Sequence, residues 1–112
     1  MTSAKRFTKE ERDEILRSFR KEWGTDAEVK MAIEEMAELI KELCNSWRDR
    51  TKADEKSQQE HIERVREEIA DVLITVRNIQ LIYGENEVEE IIDTKLHRGL
   101  ARLKEWQKEN KK

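Results

Sequence analysis

The sequence has no proline, only three glycines, a single cysteine and a 5% aromatic share over 112 residues. Without proline and with so little glycine, it lacks the punctuation that turn-rich sheet proteins need, and it reads as long helices. The lone Cys44 excludes an intrachain disulfide and fits a reducing compartment. Its apolar neighbours make it a buried structural thiol by expectation. No stretch reaches the roughly 18 apolar residues of a membrane span. The opening MTSAKRF has no apolar core of a secretory signal. The expected setting is therefore the cytoplasm, with no membrane partner. The net charge of -3, with acids and bases interleaved, provides no basic surface for nucleic acid. A glycine-rich phosphate loop, a Gly-x-Ser-x-Gly elbow and a Cys-x-x-Cys pair are all missing. Any catalysis must then run through carboxylates and a metal ion.

What is present is charge, 44% of the chain, and one conspicuously apolar run, Glu68 to Tyr83, EIADVLITVRNIQLIY. On a helix, Glu68, Asp71, Thr75 and Asn78 follow steps of three, four and three and share one stripe. Apolar residues cover most of the remaining surface, which marks a buried helix. A polar stripe on a buried helix needs a partner, because carboxylates away from water are costly.

Four helices are expected. Thr8 with Glu11, Thr25 with Glu28, Ser57 with Glu60 and Asn86 with Glu89 each have the spacing of a capping box. The first helix runs from about Lys9 to Trp23 and ends at Gly24. The second, Asp26 to Arg48, carries Val29, Ile33, Met36, Ile40, Leu43 and Trp47 as a seam for another helix. Residues 49–56 form the linker, and the third helix runs from about Gln58 to Tyr83. The fourth, Glu87 to Glu109, sets Lys95 on its apolar stripe between Ile92 and Gly99. The tail 108–112 is expected to fray. This predicts an all-α four-helix bundle, a single domain over residues 1–112, built on an antiparallel hairpin of the second and third helices. Because the third helix is apolar on opposite faces, at least a homodimer is expected, or a dimer of dimers.

The chemistry gathers in two acidic motifs, EEMAE (Glu34, Glu35, Glu38) and EEIAD (Glu67, Glu68, Asp71). Residues three apart are neighbours on a helix, so Glu35 pairs with Glu38 and Glu68 with Asp71. A hairpin would let the pairs converge. Two carboxylates ~4 Å apart at an effective dielectric near 20 repel by about 4 kcal/mol. Such a cluster protonates, splays or binds a cation, and oxygen ligands suit Mg²⁺ or Mn²⁺. The acids of the second helix, taken alone, fit a solvated face with partners such as Lys41 better than a site, whereas the stripe of Glu68 and Asp71 continues through Thr75 and Asn78. A di-iron site needs Glu-x-x-His pairs. Neither motif has one, and His61 and His97 read as surface residues.

E-E-x-x-E, a linker, E-x-x-D in an apolar helix and D-x-K-x-x-R in the last helix resemble the MazG-like nucleotide pyrophosphohydrolases. The resemblance spans roughly residues 23–103, with the helix at 9–23 leading. The last motif has Asp93 where many members carry asparagine, and 29 residues separate Glu38 from Glu68, a long gap for the family. The resemblance implies Mg²⁺ held by Glu35, Glu38, Glu68 and Asp71, with Glu34 or Glu35 orienting a water. It implies hydrolysis of a nucleoside triphosphate to monophosphate and pyrophosphate, with Lys95 and Arg98 holding the pyrophosphate; Lys52, near the linker, is a further basic candidate for a phosphate partner. Asn78 and Trp47 are the candidates for the base, although Trp47 also suits core packing. A narrower relative acting on dUTP, dCTP or phosphoribosyl-ATP, and a non-catalytic helical binding module, are the alternatives.

Overall fold

A computed structural model of the chain describes residues 5–49 and 54–111. It is all-helical, with α1 Lys9–Trp23, α2 Thr25–Asp49, α3 Glu55–Tyr83 and α4 Glu85–Asn110. No helix among the described residues is long and apolar enough to cross a membrane.

The helix starts show which local signals win. Thr8 and Glu11 form a full capping box: the Glu11 N–H donates to Thr8 Oγ1 at 3.0 Å, and the Thr8 N–H donates to Glu11 Oε1 at 2.8 Å. The Thr8 N–H holds the Glu11 carboxyl below its usual range. The other three expected boxes do not form. Gly24, at φ 89°, ends α1 by donating to the Arg20 carbonyl, and its own carbonyl receives the Glu28 N–H. Thr25 is thereby already inside α2, because a left-handed glycine turns the chain in one residue. Gly84, at φ 119°, does the same between α3 and α4, so Asn86 is no cap. The start of α3 is a turn earlier than Ser57 implied, since Asp54 Oδ1 accepts the Ser57 N–H at 2.8 Å. That bond lowers the Asp54 pKa.

The chain divides into two compact units, Met1–Ile79 and Gln80–Lys112. In the first, α1 is tied to α3 by a two-pronged ion pair. Arg77 Nε donates to Asp13 Oδ1 at 3.0 Å and Arg77 Nη2 to Asp13 Oδ2 at 2.8 Å. Arg77 accordingly depresses the Asp13 pKa, first through its hydrogen bonds. Arg20 also donates to the Asn78 side-chain oxygen. Between α2 and α3, Glu42 meets Arg64 at 3.4 Å. The enclosed centre is small: Leu16 and Ala32, with Glu28, Thr75 and Asn78 beside them.

This packing corrects the expected use of α2. The face turned inward carries Ala32, with Glu35, Leu39 and Glu42 half-buried. The more apolar seam is outward, with Ile33, Met36, Ile40, Leu43 and Trp47 all exposed, Ile40 by 63% and Trp47 by 68%. Trp47 is therefore not a core residue of the chain. Nor is Cys44, which is exposed rather than a buried thiol. His61, expected on the surface, is half-buried.

The second unit comprises the end of α3 and α4. The Gly84 N–H closes α3 on the Gln80 carbonyl at 2.9 Å, and Gln80 Nε2 reaches the Glu85 carbonyl at 3.5 Å. No residue of α4 is buried.

Candidate metal centre

The polar stripe of α3 faces the interior of the first unit. Thr75 and Asn78 are buried, and Asn78 is only 1% exposed. Thr75 settles its hydroxyl locally, donating to the Asp71 carbonyl at 3.1 Å and the Val72 carbonyl at 3.0 Å. Asn78 takes the Arg20 guanidinium on its oxygen. An arginine only donates, so this bond fixes which end of the amide is oxygen.

One turn further towards the start of α3 the stripe becomes acidic. Glu68, Asp71 and, from α2, Glu35 each offer an oxygen, and the three oxygens lie within 4.8 Å of one another. Glu35 and Glu68 are half-buried and Asp71 is exposed. Burial, then the Asp71 carboxyl, raises the Glu35 pKa. Glu68 is raised by burial, then by the charges of Asp71 and Glu38. With every carboxyl ionised, the buried Glu68 Oε1 has no donor. A proton on Glu35 supplies one, and the mutual Glu35–Glu68 hydrogen bond acts in that sense, raising Glu35 and lowering Glu68. The site thus asks for positive charge, either a proton or a cation.

The residues fit a hard divalent cation. All three donors are carboxylate oxygens, the hard ligands that Mg²⁺ and Mn²⁺ take, and they lie within 4.8 Å of one another.

Of the residues singled out by sequence, Glu35, Glu68 and Asp71 are brought together. Glu38 is exposed, yet close enough for its charge to act on Glu68. Glu34 is exposed and outside the cluster. Lys95 and Arg98 lie on α4 in the second unit, both exposed. Lys52 lies outside the described residues. Asn78 and Trp47 do not share a place. Asn78 stands level with Glu28, and Trp47 is 19 residues further along α2. At 1.5 Å per residue that is about 28 Å, too far for one base.

Sequence reasoning missed a cleft next to the cluster. It has a volume of ≈ 180 Å³ and is lined by Leu16, Phe19, Trp23, Glu28, Met31, Ile74, Thr75 and Asn78. Phe19 and Trp23 flank it, with ring centroids 5.3 Å apart. Glu28, assigned from sequence to a capping box, is instead 8% exposed in its wall. A signal was available: Glu28, Glu35 and Glu42 recur every seven residues, which puts them on one face of α2.

Comparison with known proteins returned no match to a family model, a curated protein or a solved structure.

Proposed function

We propose that this protein is a divalent-cation-dependent nucleoside triphosphate pyrophosphohydrolase of the MazG-like kind, acting in the cytoplasm as a homo-oligomer. The observation that carries the reading is the convergence of Glu35, Glu68 and Asp71 from two helices, with the buried Glu68 Oε1 lacking a donor. These three, with Glu38 at the edge, would hold Mg²⁺ or Mn²⁺. Such an ion supplies charge neutralisation on phosphate oxygens and a more acidic bound water. Glu35, whose pKa is raised by burial and then by the Asp71 carboxyl, would orient or deprotonate that water. Thr75 keeps the Asp71 backbone in register through its hydrogen bond.

The antiparallel α2–α3 hairpin belongs to the same proposal. Its support is the order of partners. Glu42 meets Arg64, Glu35 meets Glu68 and Asp71, and Glu28 shares a cleft with Thr75 and Asn78. Going up α2 therefore means going down α3. Self-association is supported by the exposed seam of α2 and by Leu73, 63% exposed between Ile69 and Val76 on α3. So much exposed aliphatic surface on long helices marks an association face.

The test is a pyrophosphate-release assay over a nucleotide panel with and without Mg²⁺. Cation-dependent pyrophosphate, not orthophosphate, is expected from at least one triphosphate, and Glu68→Gln or Asp71→Asn should remove most of it with the helical signal intact. Undiminished turnover in Glu68→Gln would refute the metal assignment.

A further inference from the structure

We propose that α1 is a hinged cover. It swings on Gly24, is caught at its far end by the Asp13–Arg77 ion pair, and opens as a unit while α2 and α3 stay folded. The cleft exists only while this cover is shut, whereas the acidic cluster does not need it. The inference does not depend on the hydrolase reading above.

The hinge is one residue long. α1 ends at Trp23 and α2 begins at Thr25, so Gly24 alone joins them. Its φ is 89°, and nothing lies within 4 Å of where a Cβ would stand. The Gly24 N–H is bonded to α1 through the Arg20 carbonyl, and the Gly24 carbonyl to α2 through the Glu28 N–H. Each bond belongs to a different rigid peptide plane. Rotation about φ and ψ of this glycine therefore turns one helix against the other and breaks neither bond, as a hinge residue must.

The apolar grip of the cover is slight. Leu16 is the one buried residue of α1, and Trp23 is 62% exposed. What holds the far end is polar. Asp13 stands 11 residues before Gly24, about 16 Å along the helix, where a catch has the longest leverage on the hinge. It takes both prongs of Arg77, at 3.0 and 2.8 Å. With Arg77 19% and Asp13 26% exposed, the pair is screened less than a surface salt bridge. Nearer the hinge, Arg20 donates to the Asn78 oxygen. A helix held by few buried apolar contacts and a few polar bonds belongs to the part of a fold that opens locally.

Opening has a different consequence for each of the two neighbouring features. Leu16, Phe19 and Trp23 form one wall of the cleft, and its other walls belong to α2 and α3. Swinging α1 away removes that wall, so an occupant of the cleft holds the cover shut and leaves when it opens. Glu35, Glu68 and Asp71 all lie on α2 and α3, so the acidic cluster keeps its donors with α1 open.

The experiment is amide hydrogen exchange of the full chain at pH 7, resolved by residue. In the parent protein, amides in the middle of α1, Leu16 to Arg20, should exchange faster than those in the middle of α2 and α3, because they open without the rest. Asp13→Asn should speed the α1 amides on the order of 10- to 100-fold, the factor carried by a charge-assisted hydrogen bond, and leave those of α2 and α3 unchanged. Arg77→Lys, which keeps the charge but not the two-pronged geometry, should fall between parent and Asp13→Asn. Uniform protection of the three helices in the parent, or equal acceleration of all three in Asp13→Asn, makes α1 part of one cooperative unit and overturns the proposal. Unchanged α1 rates in Asp13→Asn overturn the catch. The comparison within the parent decides even if the variant fails to fold.

Discussion

Replacing Glu35 by glutamine should stabilise the metal-free protein and abolish its response to metal, two effects of opposite sign from one substitution. Glutamine has the shape of a protonated glutamate. It removes one charge from the cluster and gives the buried Glu68 Oε1 a donor. The carboxylate oxygens of Glu35 and Asp71 lie within 4.8 Å. Two unit charges at that distance repel by ~3.5 kcal/mol at an effective dielectric of 20 and ~0.9 kcal/mol in water. Asp71 is exposed, so solvent screening favours the lower end, and a gain of about 1 kcal/mol is expected at pH 8 in chelator. For a chain of this size that is a rise of about 4 °C in melting temperature. In the parent, a cation present at a hundred times its dissociation constant should add about 2.7 kcal/mol. Glu35→Gln loses a ligand and should lose most of that shift, so the order of the two proteins inverts between chelator and 10 mM Mg²⁺ or Mn²⁺. The assay is thermal unfolding by circular dichroism under both conditions. The gain in chelator should also shrink as pH falls through the raised Glu35 pKa and the parent's Glu35 takes up its proton. A variant less stable than the parent in chelator, or one with an undiminished metal shift, would refute the reasoning.

Other outcomes follow from the same geometry. Glu35 and Glu68 have pKa values raised above the ordinary 4.5, so the folded state binds these protons more tightly than the unfolded chain does. Their contribution to metal-free stability should therefore increase as pH falls through the raised values and level off below about 4.5; urea titrations across pH 4–8 would read it, and saturating Mg²⁺ should flatten it. Asp13 has the opposite sign: Arg77 lowers its pKa below 3.8, so its stabilisation is complete above that value and is lost as pH falls through the depressed one. Asp13→Asn should cost about 1–3 kcal/mol at pH 7, as for charge-assisted hydrogen bonds, and should leave the metal shift intact; a loss of metal response would show that α1 positions the cluster. Leu73→Glu puts a charge in an exposed apolar face of α3 and should reduce the mass measured by light scattering at micromolar concentration; a parent protein already monomeric there would remove the case for association.

The sequence by itself settled the helices and the chemistry they could carry. Absent proline, scarce glycine and apolar periodicity left an all-helical chain as the one local solution. Glycines at 24 and 84 placed two junctions, because a left-handed residue ends a helix whatever follows it. Steps of three and four put Glu68, Asp71, Thr75 and Asn78 on one stripe before any packing was known. Which face of each helix turned inward was not legible. On α2 the apolar seam through Ile40 and Trp47 outscored the face through Glu28, Ala32, Glu35 and Glu42, yet the latter packs against α3. Hydrophobic counting assumes that one chain must bury its own apolar surface, whereas the inward face of α2 carries the buried Glu28 and Ala32 and the glutamate that meets Arg64. The cleft could not be read locally either, since Leu16, Glu28 and Asn78 come from three helices. Only the tertiary arrangement turns a glutamate with the spacing of a helix cap into a buried residue of a cleft wall.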